Sequence, residues 1–475
     1  MKIEKKRDSK KSILNIIYIF VGLFVLMMGY FTYFLIVRSD EVINSTYNKR
    51  QEVLAQRIIR GEIISADGQI LARTLVDAEE NETREYPFGE VFAHVVGRQS
   101  KGMTGIEEAE NIRLLTTNIN PAEVMYSDLM GEKSPGDNVV TTLNAKLQQV
   151  AFDALGDYRG AIVVMESATG KILAMVSKPA YDPNEVDALW EELVTDEEDE
   201  SPLINRATQG LYPPGSTFKV LTSLEYMREN PSYLSYEYNC NGSTTFKKMT
   251  IHCYNNKSHG ELDLPLSFAK SCNTSFATIG KEINMDSFHE LCEEFLFNKN
   301  LPITMASNPS SFILQKGLSG VKEAMQTAIG QGKTLITPLH NAMITATIAN
   351  GGTMMKPYAV DHIENAEGGV VKRYSPRINS NPMTPEEAKF MSEMMRLVVT
   401  DGTGTKLKDM KQKAAGKTGS ADHGGGKAHA WFIGFAPYDN PEIVVSVIVE
   451  SVGTGSNYAV PIAKEIFEAY FKEQE

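Results

Sequence analysis

The first 239 residues contain no cysteine; the four in the chain are Cys240, Cys253, Cys272 and Cys292. A lipid-modified cysteine just behind an N-terminal apolar segment is thereby excluded. No charged side chain occurs between Ser12 and Val37, and no A-x-A pattern of small residues closes that run, which ends Leu35-Ile36-Val37-Arg38. A cleaved signal peptide, whose apolar core spans roughly 7 to 15 residues, is therefore not expected. Excess positive charge is missing too: the chain carries −13, and since its first eleven residues carry +4, the remainder carries −17. That balance argues against nucleic acid or an anionic lipid surface as the main partner. Internal repeats and low-complexity tails are absent, which removes solenoids and arrays. Three ligand motifs are incomplete. Gly330-Gln331-Gly332-Lys333-Thr334 has Thr327 where a P-loop needs its first glycine, Gly402-Thr403-Gly404 lacks a third glycine, and His289-Glu290 is followed at position 293 by Glu. His252 and His259 near Cys240 and Cys253 match no compact zinc spacing, so neither a metal site nor a cofactor is expected. A Cys240–Cys253 disulfide stays open, and Cys272 and Cys292 are expected as buried thiols.

What is present begins with a delivery segment. Lys2, Lys5, Lys6, Arg7, Lys10 and Lys11 precede 26 uncharged residues, which as a helix span roughly 39 Å, enough to cross a bilayer with some tilt. The positive flank predicts an uncleaved signal anchor: a cytoplasmic tail (1–11), a transmembrane helix (12–37) and everything from about Ser39 outside the cytoplasm in a single-pass cell-membrane protein.

A chain of 475 residues holds two or three domains. Residues 56–72 read as a hairpin around Asp67-Gly68, 91–96 as a short strand and 107–115 as a helix. No catalytic constellation falls in 38–138, so this stretch is read as a small pedestal or dimerisation-like domain. From residue 139 a strand, a helix (144–155) and a hairpin (160–177) open a second domain. Helical segments are expected at 266–283, 287–297 and 339–350, then three strands (415–421, 430–436, 442–450) and a last helix (460–471). The seven acidic residues of 190–200 read as a solvated loop. The order predicts an α+β fold, one mainly antiparallel sheet covered by helices, over 139–475.

The chemistry concentrates in three places. Pro213-Pro214-Gly215 punctuates the chain before Ser216-Thr217-Phe218-Lys219, where apolar residues at helical spacing follow. Residues three apart share a helix face, so a neutral Lys219 amine can take the Ser216 hydroxyl proton. Ser271-Cys272-Asn273 and Lys417-Thr418-Gly419-Ser420 come later, and S-x-x-K, S-x-N and K-T-G in that order form the ordered signature of penicillin-binding proteins and class A β-lactamases.

With Arg57-x-x-Arg60-Gly61-x-Ile63, Asn205-Arg206-Ala207, Gly330-Gln331-Gly332 and His429-Ala430-Trp431-Phe432 added, the chain resembles class B penicillin-binding proteins, membrane-anchored peptidoglycan D,D-transpeptidases with a β-lactamase-like catalytic domain. Ser420 departs from the threonine more frequent in that family and keeps a hydroxyl. The resemblance implies that Ser216 attacks the D-Ala-D-Ala end of a stem peptide, releasing D-alanine, with Lys219 as base. It also implies that Ser271 relays a proton, that Asn273 orients Lys219 and substrate, and that Lys417 is a second cation lowering the Lys219 pKa. Thr418, Gly419 and Ser420 would bind substrate, with the Ser216 and Ser420 N–H groups as oxyanion hole. β-Lactams would acylate Ser216. No E-x-x-L-N segment supplies a class A deacylation base, and S-x-N differs from the class D pattern. A D,D-carboxypeptidase shares these motifs. A β-lactam-sensing receptor would carry several transmembrane helices and a zinc-protease motif. The stretch before residue 140 is too short for glycosyl transfer, so the resemblance implies a separate SEDS-type glycosyltransferase partner in the same membrane. Elongation, division and sporulation are not distinguished.

Overall fold

The computed structural model describes residues 2–35, 50–195 and 200–474. An N-terminal helix runs Lys2–Tyr33. Its stretch Ile13–Tyr33 has a mean hydropathy of 2.2 and is not buried against any other part of the chain among the described residues. It is long and apolar enough to cross a membrane. Ile36 and Val37 of the expected 12–37 span, and residues 196–199 of the expected acidic loop, lie outside the described residues. The rest of that acidic stretch is largely helical, belonging to Val186–Thr195.

Five strands form the catalytic sheet, in the order Ala415–Ala421, His429–Ala436, Ile443–Val449, Gly160–Glu166, Ile172–Lys178, with every neighbouring pair antiparallel. Alternate residues explain why these strands read as unbroken apolar runs. Ala161, Val163, Met165, Ile433 and Val444 join one core, while Ile162, Val164, Phe432, Val445 and Val447 join a second on the opposite face. The first face meets the helix Pro338–Ala349; the second meets Ala145–Leu155 and Ala459–Gln474. With both faces covered, polar alternation has no place to appear.

The hairpin read around Asp67-Gly68 is present, Ile63–Ile64 pairing with Ile70–Val76, and Gly68 adopts the positive φ of 79° that the turn needs. Residues 91–96, expected as a strand, are instead the end of a 3-10 turn and the short helix Ala93–Val96. Phe92, Ala93, His94, Val95 and Val96 are all buried, and a short run buried on every side carries no period to separate strand from helix. The expected helix over 266–283 is two helices, Leu264–Ala269 and Asn273–Glu282, broken where Ser271 takes a φ of +55°. The helix Pro385–Asp401 was not anticipated, although Thr384 and Glu387 form a capping box at its start.

A second sheet of six strands has the order Val370–Arg373, Val360–Glu364, Asn138–Thr141, Ile63–Ile64, Ile70–Val76, Glu82–Glu85. The expected boundary between residues 138 and 139 falls inside its third strand, and two of its strands come from the C-terminal half of the chain. Buried Glu107 underlies this region, paired with Arg60 Nε at 2.7 Å and Arg84 Nε at 2.8 Å. Burial opposes its charge, yet the two guanidiniums hold its pKa below the usual carboxylate value.

Candidate active site

The loop before Ser216 is tied down from several sides. Arg206 Nε and the Tyr212 hydroxyl both donate to Glu450 Oε1, at 2.8 and 2.7 Å. Trp431 Nε1 donates to the Pro213 carbonyl at 3.0 Å, and the Thr217 hydroxyl donates to the Pro214 carbonyl at 2.8 Å. Gly215 has a φ of +55°, and its N–H donates to the Gly330 carbonyl at 2.9 Å. A Cβ on Gly330 would sit 1.8 Å from the Gly215 carbonyl oxygen, and one on Gly215 would sit 2.9 Å from that of Ser420. Three backbones thus stack with no room for side chains. This is the physical use of Gly330, the first glycine of Gly330-Gln331-Gly332.

Ser216 therefore lies on a 3-10 turn, Gly215–Phe218, and the α-helix begins only at Lys219, running Lys219–Glu229. In a 3-10 turn residues three apart eclipse one another, which still places Ser216 and Lys219 on one side. The Ser216 hydroxyl has no hydrogen-bond partner among the described residues. Fully buried Lys219 instead donates to the Ser271 carbonyl at 2.9 Å and Asn273 Oδ1 at 2.8 Å, with Ser271 Oγ at 3.4 Å. Lys417, equally buried, donates to Ser271 Oγ at 2.9 Å and to the Thr418 carbonyl at 2.9 Å. One hydroxyl is shared by two amines.

Burial pushes the Lys219 pKa down to about 8. Burial, and then the neighbouring Lys219 charge, push Lys417 well below an ordinary lysine. The Phe276 ring, 5.2 Å from Lys219 Nζ, and the Phe268 ring, 5.5 Å from Lys417 Nζ, offset part of the desolvation. A neutral Lys219 amine fills its two N–H donations with the carbonyl of Ser271 and Oδ1 of Asn273. Its lone pair is then left for a proton.

Above the lysines opens a cleft of about 410 Å³ lined by Ser216, Ser271, Asn273, Thr418, Gly419 and Ser420. Every candidate of the three motifs is brought together, six on the cleft wall and the two lysines beneath it. Sequence reasoning missed further lining groups. Thr403, set aside with its glycine-flanked motif, places Oγ1 2.5 Å from Thr418 Oγ1. Ser456 donates to the Thr403 carbonyl at 2.7 Å, and the Gly455 N–H donates to the Gly419 carbonyl at 3.1 Å. The signal for this wall was the turn-rich Gly453-Thr454-Gly455-Ser456-Asn457 behind the last strand. His252, Tyr254 and His259 line the cleft as well.

All four cysteines are free, and Cys240 and Cys253 have their sulfurs 3.7 Å apart. The spacing argument against a metal missed a convergence: Cys240, Cys253, His259 and Cys272 place one ligand atom each within 4.8 Å of one another. His252 is not among them. Cys272, expected as an isolated buried thiol, supplies the fourth group.

An antiparallel sheet clad in helices, with S-x-x-K, S-x-N and K-T-G meeting in one cleft, defines the class of penicillin-recognising serine enzymes. Residues 160–469 match the penicillin binding protein transpeptidase domain, and residues 60–139 the penicillin binding protein A dimerisation domain. The peptidoglycan D,D-transpeptidase PbpA of Mycolicibacterium smegmatis is 32% identical over 87% of this chain and 89% of its own. Penicillin-binding protein A of M. tuberculosis, solved as a ceftriaxone acyl-enzyme, superposes with a TM-score of 0.80 at 30% identity over 88% of this chain and 99% of its own. A D,D-transpeptidase domain from Eggerthella lenta gives 0.80 at 31% over 88% and 99%. The chain belongs to the penicillin-binding protein transpeptidase family.

Proposed function

We propose that the chain is a serine-type peptidoglycan D,D-transpeptidase in which Ser216 is the nucleophile. Ser216 Oγ attacks the carbonyl between the two terminal D-alanines of a stem peptide, and its proton passes to neutral Lys219. The N–H groups of Ser216 and Ser420 receive the developing oxyanion. As the C–N bond breaks, the Ser271 hydroxyl protonates the leaving D-alanine nitrogen and is reprotonated through the lysine pair. An acceptor amine from a second stem then attacks the ester and frees Ser216. Asn273 holds Lys219 in place, and Thr418, Gly419 and Ser420, beside Lys417, receive the substrate carboxylate end. A β-lactam enters the first half of the same path and stops at the acyl-enzyme.

The observation that carries this reading is the shared hydroxyl. Ser271 Oγ lies 3.4 Å from Lys219 and 2.9 Å from Lys417, joining three motifs distant in the chain at one proton-transfer point.

The test is intact mass of the full chain in detergent with a penicillin, beside Ser216→Ala. One adduct lasting many minutes on the wild type and none on the variant is the expected result. An adduct gone within seconds would mean hydrolysis, and a labelled Ser216→Ala would remove Ser216 as nucleophile. Product analysis with a stem peptide and an amine acceptor separates cross-linking from D,D-carboxypeptidase activity.

The delivery reading is part of the proposal: tail 1–11 in the cytoplasm, anchor 12–37, pedestal 38–138 and transpeptidase domain 139–475 outside. The exposed apolar helix supports it. The anchor and pedestal are the surfaces for a SEDS-type glycosyltransferase, and unchanged co-purification after exchange of 12–37 and disruption of 56–72 would sink that contact.

A further inference from the structure

Between the helices Lys219–Glu229 and Leu264–Ala269 the chain makes an excursion of short pieces. Tyr238–Cys240 pairs with Gly260–Leu262, and Ser243–Phe246 pairs with Met249–His252. Two isolated two-stranded ribbons of three and four residues are not stable by themselves. The second ribbon reaches the main core through Ile251, but the first packs on a small cluster made mostly of thiols: Cys240, Cys253, Cys272 and Leu262, with Tyr238 and Leu266 at its edge. A core of that size needs a staple.

The geometry of the thiols identifies it. Cys240 and Cys253 sulfurs are 3.7 Å apart, as are those of Cys253 and Cys272. A disulfide needs about 2.05 Å. Zinc bonds of ~2.3 Å to sulfur at tetrahedral angles separate the sulfurs by roughly 3.8 Å, close to the spacing present. His259 Nδ1 stands 3.3 Å from Cys240 Sγ. The Thr274 hydroxyl lies 3.3 Å from the sulfurs of Cys240 and Cys272 and 3.5 Å from that of Cys253. That is where an outer hydrogen-bond donor steadies metal-bound thiolates.

We propose that Cys240, Cys253, Cys272 and His259 form a Cys3His site for one thiophilic divalent cation, zinc foremost, which staples this excursion to the S-x-N turn. Three soft sulfurs and one imidazole nitrogen select zinc over magnesium or calcium, and binding releases the three thiol protons to solvent. Cys272 is the middle residue of Ser271-Cys272-Asn273, so the metal would hold the turn in which Ser271 keeps its positive φ. The Asn273 side-chain amide also donates to the His252 carbonyl at 3.1 Å, and Tyr254 and His259 form part of the cleft wall. Metal, cleft wall and proton relay share one short segment. Coordination would also protect adjacent thiols from oxidation outside the cytoplasm.

The site stands without the transpeptidase reading; only its effect on acylation rests on it. The full chain, purified in detergent without chelator, should contain about one zinc by elemental analysis, and cobalt exchanged into it should show thiolate-to-metal charge-transfer absorption. Cys253→Ser and His259→Ala should lose most of the metal. Chelator-stripped wild type should acylate with penicillin roughly 10- to 100-fold more slowly and recover with zinc. Ser216→Ala should keep the metal and lose acylation, which separates failure of the nucleophile from failure of the metal site. A wild type without stoichiometric zinc and without the cobalt band would overturn the site, as would a Cys240–Cys253 disulfide in the purified chain. Unchanged acylation after stripping would overturn its hold on the S-x-N turn.

Discussion

Lys219 and Lys417 are two amines around one hydroxyl, so they lose protons as a pair, and with the Lys219 pKa depressed to about 8 the active form gains as pH rises. The sign follows from the role: a base works when deprotonated. A group of pKa about 8 is roughly one-tenth neutral at pH 7 and nine-tenths neutral at pH 9, so the acylation rate should climb about tenfold across that range. Stopped-flow acylation with a chromogenic cephalosporin measures it, and a flat profile would remove Lys219 as base. Lys219→Arg keeps the charge but cannot give up its proton, and should lower acylation by about 10² to 10⁴. The candidates themselves were legible because S-x-x-K, S-x-N and K-T-G are local patterns. The break at Ser271 was not, because 266–283 reads as continuous helix and only the contacts made by Ser271, Cys272 and Asn273 overrule that propensity.

At the scale of elements, strands of the catalytic sheet were visible as apolar runs, but their order was not. Ala415–Ala421 is last to join in sequence order among its motifs and lies at the sheet edge, where the nucleophile turn packs against it through Gly215. Glycine spacing hinted at tight backbone approach without saying which backbones meet. The stack of Gly330, Gly215 and Ser420 predicts the outcome of Gly330→Ala. Its Cβ would collide with the Gly215 carbonyl at 1.8 Å, in a residue whose φ is +73°. Relief requires the turn carrying Ser216 to move away from Gly330, which displaces the Ser216 N–H from its place beside Ser420 in the proposed oxyanion hole. Acylation should fall by about 10² or more, with a stability loss of about 1 to 3 kcal/mol. Gly332→Ala is the control: its Cβ would meet nothing closer than Gln326 Cβ at 3.8 Å, though its φ of +89° carries similar strain. Equal acylation in the two variants would show that strain alone, and not the stack, sets the rate.

The whole molecule is less divisible than its sequence suggests. Pedestal and catalytic regions read as separate because the motifs cluster after residue 139, and long-range pairing leaves no local trace. Yet Asn138–Thr141 pairs with Ile63–Ile64 on one side and Val360–Glu364 on the other. Gln148 donates to the Val91 carbonyl at 2.7 Å, the Asn205 amide to the His94 carbonyl at 3.2 Å, and the Ala145 N–H to Asp67 at 2.8 Å. Ile63, Leu71, Val95, Ile106 and Leu114 share a continuous core with Val163, Phe218 and Ile433. Removing residues 1–138 would strip apolar cover from that core and expose the edge of residues 139–141 that pairs with Ile63–Ile64. The full chain in detergent should therefore unfold in one cooperative transition outside its apolar helix. A 139–475 fragment should melt on the order of 10 °C lower, if it stays soluble, and acylate poorly. Circular dichroism melts beside penicillin labelling decide the matter. Two separate transitions in the full chain, with a fragment that labels at the wild-type rate, would mean that the shared sheet contributes little and that the pedestal serves only to hold the catalytic domain away from the membrane.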